Sequence, residues 1–145
     1  MNIKKLFFIV FIVFSASSFS KEMLPLTEYM VNNDMNDPVA LEYVAKRCSA
    51  YNLVMSRWSR EGEPLYTLAE KNYQMWYVLA VTARKSKYPE ENGMNNITKS
   101  VANMMEKVDQ IMIQNQDLTG STIFGSFLEY DMALCGEMLQ AMNEK

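Results

Sequence analysis

From residue 37 onward, apolar side chains recur three and four positions apart. Leu41, Val44, Cys48, Tyr51, Met55 and Trp58 step by 3, 4, 3, 4 and 3, the spacing that lines up one face of an α-helix. Asp37-Pro38 opens this stretch with a capping carboxylate followed by a proline whose missing N–H costs nothing in the first turn. Gly62 closes it. A second stretch opens at Glu63-Pro64 and carries Leu65, Leu68, Ala69, Tyr73, Met75, Trp76, Leu79, Ala80 and Ala83. It ends in Arg84, Lys85 and Lys87, cations that complement the partial negative charge of a helix C-terminus. The polar run Tyr88–Gly93 reads as a loop. A third helix is expected from Asn95 or Asn96, with Ile97, Val101, Met104, Val108 and Ile111 on its seam. Thr119-Gly120-Ser121 breaks it. The fourth seam is Phe124, Leu128, Asp131, Cys135, Met138 and Met142, which places Gly125 and Gly136 inside a helix. No part of residues 21–145 sustains the period-two alternation of a strand.

Four such helices with short connections predict an all-α protein, an antiparallel up-down four-helix bundle over residues 37–145. Residues 21–36 precede it as an arm or a short helix built on Pro25, Leu26, Tyr29 and Met30. Residues 1–20 differ in kind. Lys4-Lys5, the apolar run Leu6–Phe14 and the small residues Ser15–Ser18 and Ser20 have the order of a secretory signal peptide with cleavage before Lys21. The apolar run is too short to span a bilayer, which takes about 20 residues. Export to the periplasm or the exterior is therefore expected, with no stable membrane span after cleavage.

Export changes how the two cysteines read. Cys48 and Cys135 are the only pair, and in an oxidising compartment an even pair predicts a disulfide. In the up-down topology the first and fourth helices are adjacent, and both cysteines fall on their seams at similar heights. A bridge between helices is expected. Gly136, beside Cys135, is read as making room for it.

Composition narrows the chemistry. The chain has 145 residues and no histidine, which removes Ser-His-Asp and Cys-His catalysis and most zinc sites. Residues 21–145 carry 12 basic against 17 acidic side chains. Their net charge of −5 and the lack of a basic stripe argue against a nucleic-acid partner. No catalytic constellation, metal-ligand cluster or cofactor motif is expected.

Three groups remain as candidates. Asp131 interrupts an apolar seam, and a buried carboxylate needs a partner. Lys46 or Arg47 on the first helix is the expected cation. Trp58, Tyr73 and Trp76, with Met104 and Met112, are candidates for a partner or ligand surface, against the alternative that they fill the core. Methionine is abundant, 13 in all. Thioethers suit copper(I), but the helical spacing of these residues favours packing. Glu90-Glu91 reads as solvated loop charge. The sequence thus points to an exported, non-catalytic helical protein that binds another macromolecule, as an inhibitor, immunity protein or chaperone-like accessory would. The alternative is a periplasmic carrier holding a small apolar ligand or a soft metal ion in the bundle interior. At the level of architecture, the layout resembles small exported helical proteins with one disulfide.

Overall fold

The computed structural model describes residues 23–144; the predicted signal peptide, residues 1–20, lies outside them. Five helices follow one another: α1 Leu26–Asn32, α2 Pro38–Trp58, α3 Pro64–Lys87, α4 Gly93–Thr119 and α5 Phe127–Asn143. No strand occurs among the described residues. The fold is all-helical, with Cys48 bonded to Cys135 across α2 and α5.

The starts of α2 and α3 follow their proline signals. Asp37 accepts a hydrogen bond from the Val39 N–H at 3.0 Å, and Pro38 occupies the first helical position of α2. Pro64 does the same for α3, although Glu63 makes no side-chain cap. One helix end follows glycine. Gly120 terminates α4 in the left-handed conformation at φ 77°, where residues with a Cβ pay a steric cost.

α2 is the organising element. Eleven of its 21 residues are buried, because α3, α4 and α5 all pack against it. By contrast α3 buries Ala69, Trp76, Ala80 and Ala83 out of 24 residues. Small side chains here let α3 approach α2 closely, with Trp76 as its single large anchor in the core.

Several expected positions shift. The buried face of α4 is Ile97, Val101, Met105, Val108 and Met112, while Met104 and Ile111 are only half-buried. A straight α-helix drifts relative to a seam read strictly as heptads, so the inward face moves by one residue. α4 also begins at Gly93 rather than at Asn95 or Asn96. Gly125 is not inside a helix: it sits before α5 at φ 83°, and Phe124 beside it is 70% exposed. The apolar character of Phe124 matched the helical spacing, but Gly125 turns the chain before the helix starts. Gly136 does lie within α5, yet a Cβ built there would meet nothing within 4 Å. It is not required for the close approach of the disulfide.

The described part of the arm, from Met23, packs onto the helices. α1 buries Leu26 completely in the main core, and Tyr29 packs on Tyr43 of α2 with ring centroids 4.1 Å apart. Polar contacts from Arg47 and Asp131 tie the arm down as well.

Candidate functional site

Arg47 and Asp131 are both fully sequestered, at 0% and 1% exposure. Their Nη2 and Oδ2 atoms are 2.5 Å apart. Asp131 faces α2 because it occupies the inward seam of α5 with Leu128, Cys135 and Leu139. Lys46, the other cation expected to reach it, instead pairs with Glu42 one turn back on α2 at 2.8 Å. The next position along a helix points roughly 100° away, so only one of two adjacent cations can enter the interface.

The pair is fully hydrogen-bonded. The Tyr51 hydroxyl donates to Asp131 Oδ2 at 2.6 Å and accepts from Arg47 Nε at 2.6 Å. Asp131 Oδ1 accepts the backbone N–H of Leu26 at 2.8 Å, and Arg47 Nη1 donates to the carbonyl of Leu24. One buried ion pair therefore grips both a carbonyl and an amide of the arm. The Arg47 guanidinium also lies 5.6 Å from the ring centroids of Tyr51 and Phe127. Burial raises the Tyr51 phenol far above its ordinary pKa; Arg47 pulls it back and Asp131 pushes it further up. For Arg47, burial disfavours the charge, and Tyr51 and Asp131 outweigh it, leaving its pKa raised. Sequence reasoning found the carboxylate and its cation. It missed Tyr51 as their third member and the two backbone groups of the arm, since backbone partners leave no residue-type signal.

Held this way, the arm forms one wall of an open groove of about 600 Å³ between the arm, α2 and α4. Met23, Leu24, Tyr29, Tyr43 and Met104 supply apolar walls, with Asn33 and Lys107 as the polar members. The Tyr29 phenol has a raised pKa, first through burial and then through Tyr43 and Asp37. Lys107 is exposed and makes no ion pair among the described residues. Tyr29, Tyr43 and Lys107 were not among the expected ligand surface, because the arm's docking position has no counterpart in helical periodicity.

The expected surface residues separate. Met104 lines the groove. Trp76 and Met112 are core residues, at 0% and 1% exposure, and do not form a surface; the Trp76 indole N–H has no hydrogen-bond partner among the described residues. Tyr73 is half-buried beside Tyr77, its ring centroid 5.9 Å away. Trp58 is exposed at the end of α2 and donates from Nε1 to Asp109 at 3.1 Å. It lies at the end of α2 that leads into exposed Leu65 and Leu68 of α3. Those two leucines border a smaller pocket of about 170 Å³ with Met55 and Met132.

A second polar network joins α2, α3 and the following loop. Buried Glu42 accepts from Lys46 and, at 3.3 Å, from Arg84, whose other nitrogen reaches Glu91 at 2.6 Å. Glu91 is thus an ion-pair partner rather than free loop charge. Among the described residues, no three His, Cys, Asp or Glu side chains are grouped to hold a metal ion. No described helix is long and apolar enough to cross a membrane. No protein-family model matches this chain, and neither does any curated protein or solved structure.

Proposed function

We propose that this protein is an exported, non-catalytic binding protein that holds a small apolar ligand in the groove between its N-terminal arm, α2 and α4. The observation that carries this reading is the groove itself. Its volume of about 600 Å³ falls within the roughly 300–1,000 Å³ of small-molecule sites, which are mostly apolar with a few polar groups. Methionine at two wall positions suits a ligand of irregular shape, because the thioether chain adapts at low cost. The site lies between the arm and the helices, not in the interior, which the core side chains fill.

In this reading residues 1–20 are removed on export, the disulfide forms in the oxidising compartment, and α2–α5 run as an up-down four-helix bundle. The test is to isolate the protein from its native host and extract it with organic solvent. A co-purifying apolar molecule at near one per chain, on a polypeptide beginning near Lys21, is the expected result. A chain that carries nothing and fails to bind a fluorescent apolar probe overturns the ligand reading. An intact Met1 in a membrane fraction overturns export.

A second reading, binding of another macromolecule, is favoured by exposed Trp58, Leu65 and Leu68. Exposed large apolar side chains are frequent anchors at interfaces. Crosslinking in the native compartment, with and without Leu68→Asp, separates the two: loss of a crosslinked partner with unchanged probe binding supports the second.

A further inference from the structure

We propose that the groove selects anionic single-chain amphiphiles, the carboxylate of a fatty acid resting on Lys107 and its hydrocarbon chain lying between the arm and α4. This rests on the reading of the groove as a ligand site and adds the ligand's chemical class.

Two features argue for a hydrocarbon chain. The walls that meet it are Leu24, Tyr29, Tyr43 and Met104. The groove's polar side-chain groups are few, and part of them is spoken for: Asn33 Nδ2 already donates to the Tyr29 carbonyl at 2.7 Å. An extended peptide would bring backbone N–H and C=O groups that these walls cannot satisfy, at a cost for each one buried. An acyl chain has no polar group along its length.

Charge selects the head group. Among the described residues, Lys107 is the one charged residue lining the groove, and no carboxylate lines it. Asp37, the carboxylate acting on Tyr29, is engaged as the α2 cap through the Val39 N–H. Lys107 makes no ion pair among the described residues, so its ammonium is available to an incoming anion. A lysine at an apolar rim covers hydrocarbon with its stem while its ammonium stays in water. That is the arrangement a fatty-acid head group needs, since its own charge also stays hydrated.

The test is calorimetric titration of the full exported chain with dodecanoate, dodecanol and dodecyltrimethylammonium, each below its micellar concentration. Dodecanoate should bind one per chain, about 5-fold more tightly than the cation, the upper range for an exposed charge pair. Each added pair of methylenes should tighten binding about 10-fold until the groove is filled. Lys107→Glu, on an exposed helical position, should reverse the order of dodecanoate and the cation. Met104→Trp should weaken all three ligands in a chain that still unfolds cooperatively. If all three ligands bind equally and Lys107→Glu changes nothing, the anionic assignment is wrong while the apolar groove stands. If none binds, both fail. If dodecanoate binds but ignores both substitutions, the ligand sits elsewhere and the proposal is overturned.

Discussion

The guanidinium of Arg47 and the carboxylate of Asp131 meet at 2.5 Å between two helices, with neither side chain touching solvent. Burying two ions is costly, and Coulomb attraction offsets the cost only when the remaining donors and acceptors are satisfied. Here Tyr51 supplies one bond to each ion, and the arm supplies an acceptor at Leu24 and a donor at Leu26. The ion pair therefore does more than join α2 to α5. It fixes the backbone that forms one wall of the groove.

Asp131→Asn is expected to destabilise the protein by about 3–5 kcal/mol, since it leaves Arg47 buried without a counter-charge. Arg47→Met should cost a similar amount. The double variant should cost clearly less than the two singles together, because neither ion is then left alone. Chemical denaturation of all four proteins measures the coupling. Additive losses would refute a mutually dependent pair. The singles should also weaken ligand binding at the groove without altering a residue that lines it.

Cys48 and Cys135 lie next to that pair: Cys48 follows Arg47 directly, and Cys135 is one turn beyond Asp131. The bridge spans 87 positions with Cα atoms 5.6 Å apart. Closing a loop of that length contributes about 4–5 kcal/mol in the chain-entropy account. The Cys48→Ala/Cys135→Ala double variant should lose about that much in chemical denaturation. Alkylation of the unreduced native protein should leave its mass unchanged; two labelled thiols would refute the bridge.

The Cys48–Cys135 pairing was legible because two independent signals converge on it. The expected export favours pairing, and helical spacing brings the two cysteines to one interface. Asp131 was legible for a related reason: a carboxylate on an apolar seam must find a cation, and only α2 offered one nearby. The groove was not legible. It depends on where residues 23–33 lie against α2 and α4, and that placement is set in part by backbone hydrogen bonds to Arg47 and Asp131, which leave no side-chain signal. The Phe124–Gly125 error has the opposite cause. Spacing alone extended α5 through a glycine whose positive φ ends the regular backbone.

Gly136 offers a stabilising substitution. It sits within α5, has no positive φ, and a Cβ there would meet open space. Alanine lowers the entropy of the unfolded chain and favours helix by roughly 1 kcal/mol. Gly136→Ala is expected to raise the denaturation midpoint accordingly. Gly120→Ala is the control: space is equally open, but φ is 77°, so the same change should destabilise by about 1 kcal/mol. If both substitutions moved stability in the same direction, the assigned backbone conformations would be wrong.

Tyr51 predicts how the protein responds to alkali. An unfolded tyrosine ionises near pH 10. In the folded protein, burial raises the Tyr51 phenol well above that value; Arg47 opposes the shift and Asp131 adds to it. Above pH 10 the unfolded chain has released this proton and the native chain has kept it. Stability from this group is thus fully present below pH 10 and falls as pH rises past it, by at most about 1.4 kcal/mol per pH unit. Tyr29 and Tyr73 are raised in the same direction, mainly by burial, so they add to the decline in any variant that retains them. Tyr51→Phe isolates the contribution. At neutral pH it should cost about 1–3 kcal/mol, because Asp131 and Arg47 each lose a buried hydrogen bond. Between pH 10 and 11.5 its stability should fall less steeply than that of the unsubstituted chain, by up to one proton's worth of slope. Urea midpoints measured across pH 8 to 11.5 test both statements. Parallel curves above pH 10 would show that Tyr51 ionises as readily in the fold as outside it, and would remove the phenol from the buried Arg47–Asp131 cluster.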